Sequence, residues 1–442
     1  MSPRQHVIKL LDLWEKSDAY ADVLLKDLFE HSKISAQDRA LIQEIFFGVI
    51  RWRKRINWIL EQFFQGSLKK SPRFVRSILQ SSFYQFIYLD RIPAYAVINE
   101  AVRIAKYKGG QYWAGKINGI LRNYQKNKNN IIFPDINKSP VEAISILYSH
   151  PEWLVDRWIK RWGRDETIAL CSANNERPPI TLRVNRTKIS ADLLIEKLDK
   201  LGVKVSKSKF NENFLRADSL PNLSQFELFQ QGLFSIQDES AGLACQLLGA
   251  KPGENIVDLC AAPGGKSSYL NELGKNKAIV YSIDQRFSRL KFVRENLKRL
   301  GFPDSRIIQA DGKNFSCKSV NKILVDAPCS GLGVLSKRVD LKWRRKPEQI
   351  NELVKLQLEL LKNAASIVKR GGALVYSTCT IEPQENEEIV IQFLKENKQF
   401  QIDSAKKYIS ENFVSDEGFA CTFPHKNGMD GSFAVRLLKV GK

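Results

Sequence analysis

Histidine is scarce, with four residues in a chain of 442 and no two at ligand spacing. Cysteine is hardly commoner: Cys171, Cys245, Cys260, Cys317, Cys329, Cys379 and Cys421 make an odd seven, with no Cys-x-x-Cys pair. A zinc site needs several such ligands at short spacings, so no metal is expected. Unpaired thiols suit a reducing compartment, and a cytoplasmic protein is expected. Any special cysteine should then be a nucleophile or a filler of the core. No run approaches the roughly 18 apolar residues of a membrane helix. The N-terminus is broken by Arg4, Lys9 and Asp12, so no secretory signal is expected. Acidic residues are also short, at 48 against 69 basic ones, a net charge of +21. Such a field attracts a polyanion, and nucleic acid is the first candidate, because basic side chains displace counterions from phosphate.

What is present suffices for real cores. Hydrophobic residues make up 43% of the chain, and at about 150 residues per domain the length suggests three domains. Residues 1–130 read as helices: Val7, Leu10, Leu11 and Trp14 share one face, as do Ala21, Leu24, Leu25 and Leu28. The polar run Gln125–Asn130 reads as a linker or exposed loop. Residues 131–230 read as a small α/β unit, helical from Pro140 to Gly163, with strands at Ile180–Val184 and Val203–Val205 around a helix stopped by Gly202.

From residue 231 onward short apolar strands alternate with helices. The strands are Ile256–Leu259, Ile279–Asp284, Arg306–Asp311, Lys322–Asp326 and Gly372–Ser377. The main helices are Arg286–Leu300 and Pro347–Lys369. This alternation predicts a parallel sheet covered on both faces, with ligands at the carboxyl ends of its strands. Cys260-Ala261-Ala262-Pro263-Gly264-Gly265-Lys266 links the first of these strands to a helix. Its glycines let a ligand approach the backbone, and the helix N-terminus suits a carboxylate or a phosphate. Cys260 stands where a phosphate-binding loop needs its first glycine, and the Gly-x-Gly-x-x-Gly spacing of dinucleotide binders is missing. Asp284, ending the second strand, is placed to accept from two ribose hydroxyls, and Asp311 from an adenine amino group. A loop of this kind followed by two strand-end aspartates predicts a nucleoside cofactor.

Cys329 follows the fourth strand in Asp326-Ala327-Pro328-Cys329-Ser330-Gly331, and Cys379 ends the fifth in Ser377-Thr378-Cys379-Thr380. A strand-end cysteine is ordinarily a small buried hydrophobe. Two on adjacent strands, facing a nucleoside cofactor, suggest chemistry. Carbon 5 of cytosine is a poor nucleophile until a thiolate adds to carbon 6, a division of one hard step into two. The ring then needs a proton or strong hydrogen bond at N3, for which Asp326 is placed, and a second thiol can assist release. This chemistry requires one nucleophile and would accept either cysteine.

These motifs resemble the bacterial Sun/Fmu-type 16S rRNA cytosine-C5 methyltransferase B family. Asp258–Lys266 is similar to its cofactor loop, Asp326–Gly331 to its fourth motif, and Ser377–Thr380 with Pro383, Glu385 and Asn386 to its sixth. Ile236–Ala241 resembles the opening of its catalytic domain. Asp430–Phe433 resembles its closing strand, with Ser432 where an aromatic residue is common. Gly48–Trp52, Val97–Val102 and Asn118–Arg122 are similar to its NusB-like helical domain, and His150–Trp153 to the start of its middle region. The resemblance implies an all-α NusB-like domain over 1–130, a small α/β RNA-binding domain over 131–230, and over 231–442 a Rossmann-like class I methyltransferase with a mostly parallel seven-stranded sheet. It implies S-adenosyl-L-methionine as cofactor, held by Cys260 to Lys266, Asp284, Asp311 and Asp326. It implies Cys379 as nucleophile, Cys329 as the thiol aiding release, and Lys266 reaching the target base. The expected partner is 16S rRNA, naked or in an assembly intermediate.

Arg51-Trp52-Arg53-Lys54-Arg55 and Lys342-Trp343-Arg344-Arg345 interleave cations with indoles, as phosphate binding and base stacking require, and with Arg183 and Arg186 they are candidate RNA contacts. The same clusters also read as solvated helix faces. Two rival functions are a tRNA cytosine-C5 methyltransferase and a non-catalytic RNA-binding ribosome-assembly factor. Intact Cys379, Cys329, Asp326 and Lys266 weigh against the second.

Overall fold

Helices form wherever the 3.6-residue period is strong. Ser2 caps the first, Pro3–Lys16, with Gln5 returning the bond, and Val7, Leu10, Leu11 and Trp14 are buried along it. Ala21–His31, Ala36–Arg51, Arg53–Phe63, Arg73–Tyr88 and Ala94–Asn127 follow. The computed structural model describes residues 1–441 and divides into two units, Met1–Glu176 with Leu335–Arg344, and Arg177–Val334 with Arg345 onward. The run Gln125–Asn130 is no loop at its start: helix continues through Asn127, and Lys128–Asn130 closes it as a 3-10 turn. Gln and Lys are good helix formers, and buried Leu121 and Tyr124 anchor this last stretch to the core.

The first unit also holds the helices Pro140–Leu147, Glu152–Trp162 and Arg164–Ala173, and a ten-residue excursion, Leu335–Arg344, from far along the chain. Val339 joins the helical core. The Ala21 N–H donates to Asp340 Oδ2 at 2.7 Å, and Trp343 Nε1 donates to the Ile50 carbonyl at 2.7 Å.

The second unit contains two sheets. The smaller is antiparallel, ordered β2-β3-β1-β4, from β1 (Ile180–Val184), β2 (Val205–Lys207), β3 (Phe214–Ala217) and β4 (Phe234–Ile236). The larger is built from β5 (Asn255–Asp258), β6 (Ile279–Asp284), β7 (Arg306–Gln309), β8 (Val320–Asp326), β9 (Val368–Thr378), β10 (Phe400–Ile402), β11 (Ala420–Thr422) and β12 (Ser432–Lys439). Its order is β10-β12-β9-β8-β5-β6-β7, and the three-residue β11 pairs with β12 as an eighth strand, one more than expected. Strands β5 to β9 run parallel, while β10, β11 and β12 pair antiparallel. Helical α-domain, small α/β sheet and mostly parallel α/β sheet are thus all present. The strand order reverses between β8 and β5, the place where such sheets open a crevice. The carboxyl ends bordering it carry Asp258, Asp284, Asp326 and Thr378.

Candidate active site

The two cysteines predicted from strand ends do meet. Cys329 Sγ and Cys379 Sγ lie 3.2 Å apart, and the Cys379 N–H points to Cys329 Sγ at 3.3 Å. Parallel pairing of β8 with β9 sets Asp326 against Ser377, which brings the loops after those strands together. Ser377 Oγ donates to Asp326 Oδ1 at 3.1 Å, and Lys266 Nζ pairs with Asp326 Oδ2 at 2.7 Å.

Buried groups fix the Cys329 loop. Glu385 accepts from the Ser330 N–H at 2.8 Å, from the Ser330 hydroxyl, and from Gln357 Nε2 at 3.0 Å. Gln357 also donates to the Pro328 carbonyl, and Arg345 to the carbonyls of Ser330 and Cys329. Asn386 holds the other loop, accepting from Thr378 Oγ1 and donating to the Thr380 carbonyl. Backbone stitches join the two: Gly333 N–H donates to the Cys379 carbonyl at 3.1 Å, and Gly431 N–H to the Gly333 carbonyl at 2.8 Å. The sequence assigns no role to Glu385, Gln357 or Gly333, and it offers Arg345 as an RNA contact rather than as a brace of this loop. The signal for Glu385 was its place in the motif after Cys379.

The surroundings divide the two thiols. The hydrogen bond from Cys329 holds Cys379 below the ordinary thiol value, against burial and Asp326 and with help from Lys266. Cys329 is raised well above its ordinary value by the same bond, by burial, and by the nearby Cys379 and Glu385 charges. The shared bond, with the proton kept on Cys329, makes Cys379 the thiol that ionises first, Lys266 helping and Asp326 opposing. Burial works against the Lys266 charge, but Asp326 overrides it and holds the ammonium above its usual range.

The loop Cys260–Lys266, expected to hold a cofactor, is equally well defined. Gly264 adopts φ +100, and a Cβ there would lie 3.1 Å from Val293 Cα. The helix Gly265–Leu273 follows at once. Asp284 Oδ2 accepts from the Ala262 N–H at 3.3 Å and Oδ1 from the Arg286 N–H at 3.0 Å, which tie the second strand end to the loop. Asp311, two residues past β7, accepts from the Lys313 N–H at 3.0 Å. Asp258 is fully buried; Ser267 Oγ donates to its Oδ2 at 2.6 Å, and Oδ1 has no hydrogen-bond partner among the described residues. Burial pushes this carboxyl up to about 7, with the Ser267 bond acting the other way. Carboxylates at successive strand ends, an unpartnered buried oxygen and a helix N-terminus are a donor and acceptor set that fits a nucleoside carrying an amino acid.

Several expected RNA contacts are structural instead. Arg183 is fully buried, paired with Glu272 at 2.6 Å and bonded to Gln237, Ser268 Oγ and the Gly265 carbonyl. It braces the end of the Cys260–Lys266 loop and the helix after it. Arg186 stays partly exposed, 3.8 Å from Glu212. Lys342 is buried and donates to Asn175 Oδ1, Arg344 donates to the carbonyls of Trp14, Ser17 and Ala19, and Arg345 holds the Cys329 loop. Lys54 is held by Ser145 and Glu152, and Arg55 donates to the Leu147 carbonyl. A basic cluster next to an indole satisfies buried carbonyls as readily as phosphates, and here folding has used most of those donors.

Comparisons with known proteins show the family. Residues 245–438 match the family described as 16S rRNA methyltransferase RsmB/F, residues 1–126 the NusB family, and residues 150–220 the RsmF/B-like ferredoxin-like domain. The chain is 36% identical over 451 residues to the probable ribosomal RNA small subunit methyltransferase B of Bacillus subtilis (strain 168), covering 100% of this chain and 99% of that one. It is 35% identical over 411 residues to ribosomal RNA small subunit methyltransferase B of Cronobacter sakazakii (strain ATCC BAA-894), covering 92% of each. The crystal structure of PH0851 superposes with a TM-score of 0.83 at 27% identity, covering 99% of both chains. No helix among the described residues is long and apolar enough to cross a membrane.

Proposed function

The chain belongs to the RsmB/F family of 16S rRNA methyltransferases, with a NusB domain before and a ferredoxin-like domain beside its catalytic part, and on that footing we propose that it methylates carbon 5 of a cytosine in 16S rRNA through a covalent adduct on Cys379. The single observation that carries this reading is the thiol pair, 3.2 Å apart, beside the Lys266–Asp326 ion pair.

Addition of the Cys379 thiolate to carbon 6 places negative charge on the ring at N3. The Lys266–Asp326 pair is the proton-bearing group proposed to meet it. The ring's carbon 5 is then the nucleophile. S-adenosyl-L-methionine, when bound, supplies the electrophilic methyl group. The loop Cys260–Lys266 with its helix N-terminus would take the methionine carboxylate, Asp284 the ribose hydroxyls, Asp311 the adenine amino group, and Asp326 would border both ligands. Solvent takes the proton from carbon 5; the freed electron pair re-forms the carbon 5–carbon 6 double bond and expels Cys379 as a thiolate, and N3 returns its proton to the Lys266–Asp326 pair. Cys329 stabilises that leaving thiolate by donating the same hydrogen bond that lowers its pKa at rest. A target base in a paired region must first leave its stack.

We further propose three working regions, 1–130 and 131–230 for RNA and 231–442 for chemistry, acting on naked or partly assembled rRNA in the cytoplasm. Bisulfite mapping of 16S rRNA treated with the purified protein and S-adenosyl-L-methionine tests the function. One new protected cytosine is expected, lost with Cys379→Ala. Preferential labelling of tRNA, or methylation by Cys379→Ala at the normal rate, would overturn it.

A further inference from the structure

We propose that a groove in the helical unit binds a single-stranded stretch of the substrate RNA, and that Trp343 and Arg344, delivered by the ten-residue excursion, complete it. The proposal rests on the reading of the substrate as RNA. The groove has two lobes, with cavity volumes of about 600 and 360 Å³, which share Arg53, Asn57, Glu61 and Trp343. Both lie wholly within the first unit.

The larger lobe is lined by six basic and three acidic side chains. One of the acids, Glu15, is already taken, bridging Arg53 at 3.2 Å and Arg76 at 3.0 Å. Two guanidinium groups lie near the Trp14 indole, Arg53 at 5.0 Å and Arg344 at 5.2 Å from its ring. These interactions make a rigid cationic floor. On the rim, Lys16, Lys69 and Arg73 are exposed, and among the described residues their side chains carry no ion pair or hydrogen bond. Trp343, half-buried, sits where the lobes join, and its N–H is fixed to the Ile50 carbonyl. Gln80 Nε2 donates to Asn57 Oδ1 at 2.8 Å, which orients the Asn57 amide beside that indole. A cationic track with a fixed aromatic platform and an oriented amide is how unpaired nucleotides are held: phosphates on the cations, a base on the ring. A lone anion would need neither a platform nor two connected lobes.

The test uses the full-length protein and a fluorescein-labelled, unstructured twelve-nucleotide RNA, with binding followed by anisotropy across a salt series. Lys16→Glu with Arg73→Glu alters exposed side chains only, so thermal melting should be unchanged. Binding is expected to weaken ~10-fold, and the slope of log affinity against log salt to fall by about 0.7 for each lost cation. The control reverses two exposed lysines of the other unit outside the regions proposed for RNA, Lys277→Glu with Lys398→Glu. Equal affinity and slope in the groove variant and wild type, or equal losses in groove variant and control, would overturn the proposal. With an rRNA fragment as methyl acceptor, KM should rise several-fold in the groove variant while kcat holds. A wild-type protein that binds the oligonucleotide through the groove but methylates no rRNA would sink the functional reading and leave the groove standing. Normal methylation with unchanged KM and unchanged oligonucleotide binding would do the reverse.

Discussion

Replacing Gly333 with alanine should part the two cysteine loops. A Cβ on Gly333 would lie 2.0 Å from the Gly431 carbonyl oxygen and 2.9 Å from that of Cys379. Both are backbone atoms, so neither can swing away as a side-chain tip would. A comfortable carbon–oxygen contact is about 3.3 Å, so the strands of backbone must separate by roughly 1.3 Å. That opening costs the two stitches, Gly333 N–H to Cys379 and Gly431 N–H to Gly333, at about 1 kcal/mol each. Overpacking strain adds about 1–3 kcal/mol. Destabilisation of ~3–5 kcal/mol is therefore expected. A displacement of this size at the Cys379 turn should slow methyl transfer by about 100-fold. Single-turnover transfer to an rRNA fragment, alongside thermal unfolding, reads both numbers. Gly115→Ala is the control: it sits in the helix Ala94–Asn127 with nothing within 4 Å of its Cβ, and should be neutral or slightly stabilising. A Gly333→Ala protein with wild-type rate and melting temperature would refute the claim that these stitches set the thiol geometry.

Cys329→Ala should accumulate a protein–RNA adduct, seen as a retarded band on a denaturing gel; full turnover with no such band would remove Cys329 from product release. The same variant loses the hydrogen bond that holds Cys379 low, so the acid limb of kcat/KM for adduct formation should move to higher pH; a limb that stays in place would show that another group sets the thiolate. Arg183→Ala leaves Glu272, itself buried, without its partner, and unfolding should show a loss of about 3–5 kcal/mol, whereas Arg186→Ala should leave stability alone. Asp258 holds its proton up to about 7 in the fold against an ordinary 3.8, so between those values the folded state binds the extra proton. Stability relative to Asp258→Asn should then fall as pH rises from about 4 to 7 and be level above; a difference independent of pH over that range would contradict the burial of this carboxyl.

The parallel sheet was legible because its strands are short apolar runs ending in Asp or Cys, and the pairing of β8 with β9 then forces their terminal residues together. That is how Cys329 and Cys379 could be matched from sequence although fifty positions apart. Partners were not legible. Arg183 and Arg186 look alike in the chain, and only the fold shows that one is neutralised by Glu272 and the other nearly free. Lys342, Arg344 and Arg345 read as an RNA-binding cluster because charge is visible in a sequence and the buried carbonyls that consume it are not. Gly333 carries no local turn signal; its need for a bare backbone comes from Gly431, ninety-eight positions later.

The excursion Leu335–Arg344 also orders events in time. The helical unit is synthesised first, through Glu176, but its core includes Val339, and Trp14, Ala21 and Ile50 meet their partners only when Asp340, Trp343 and Arg344 arrive. At about 5–20 residues per second, the intervening stretch takes roughly 10–30 s to leave the ribosome. During that interval the helices must stand open at the place the excursion will fill. A nascent chain halted near residue 200 should therefore be more readily cut by protease in the helical unit than one halted past the excursion, although both carry every residue from 1 to 176.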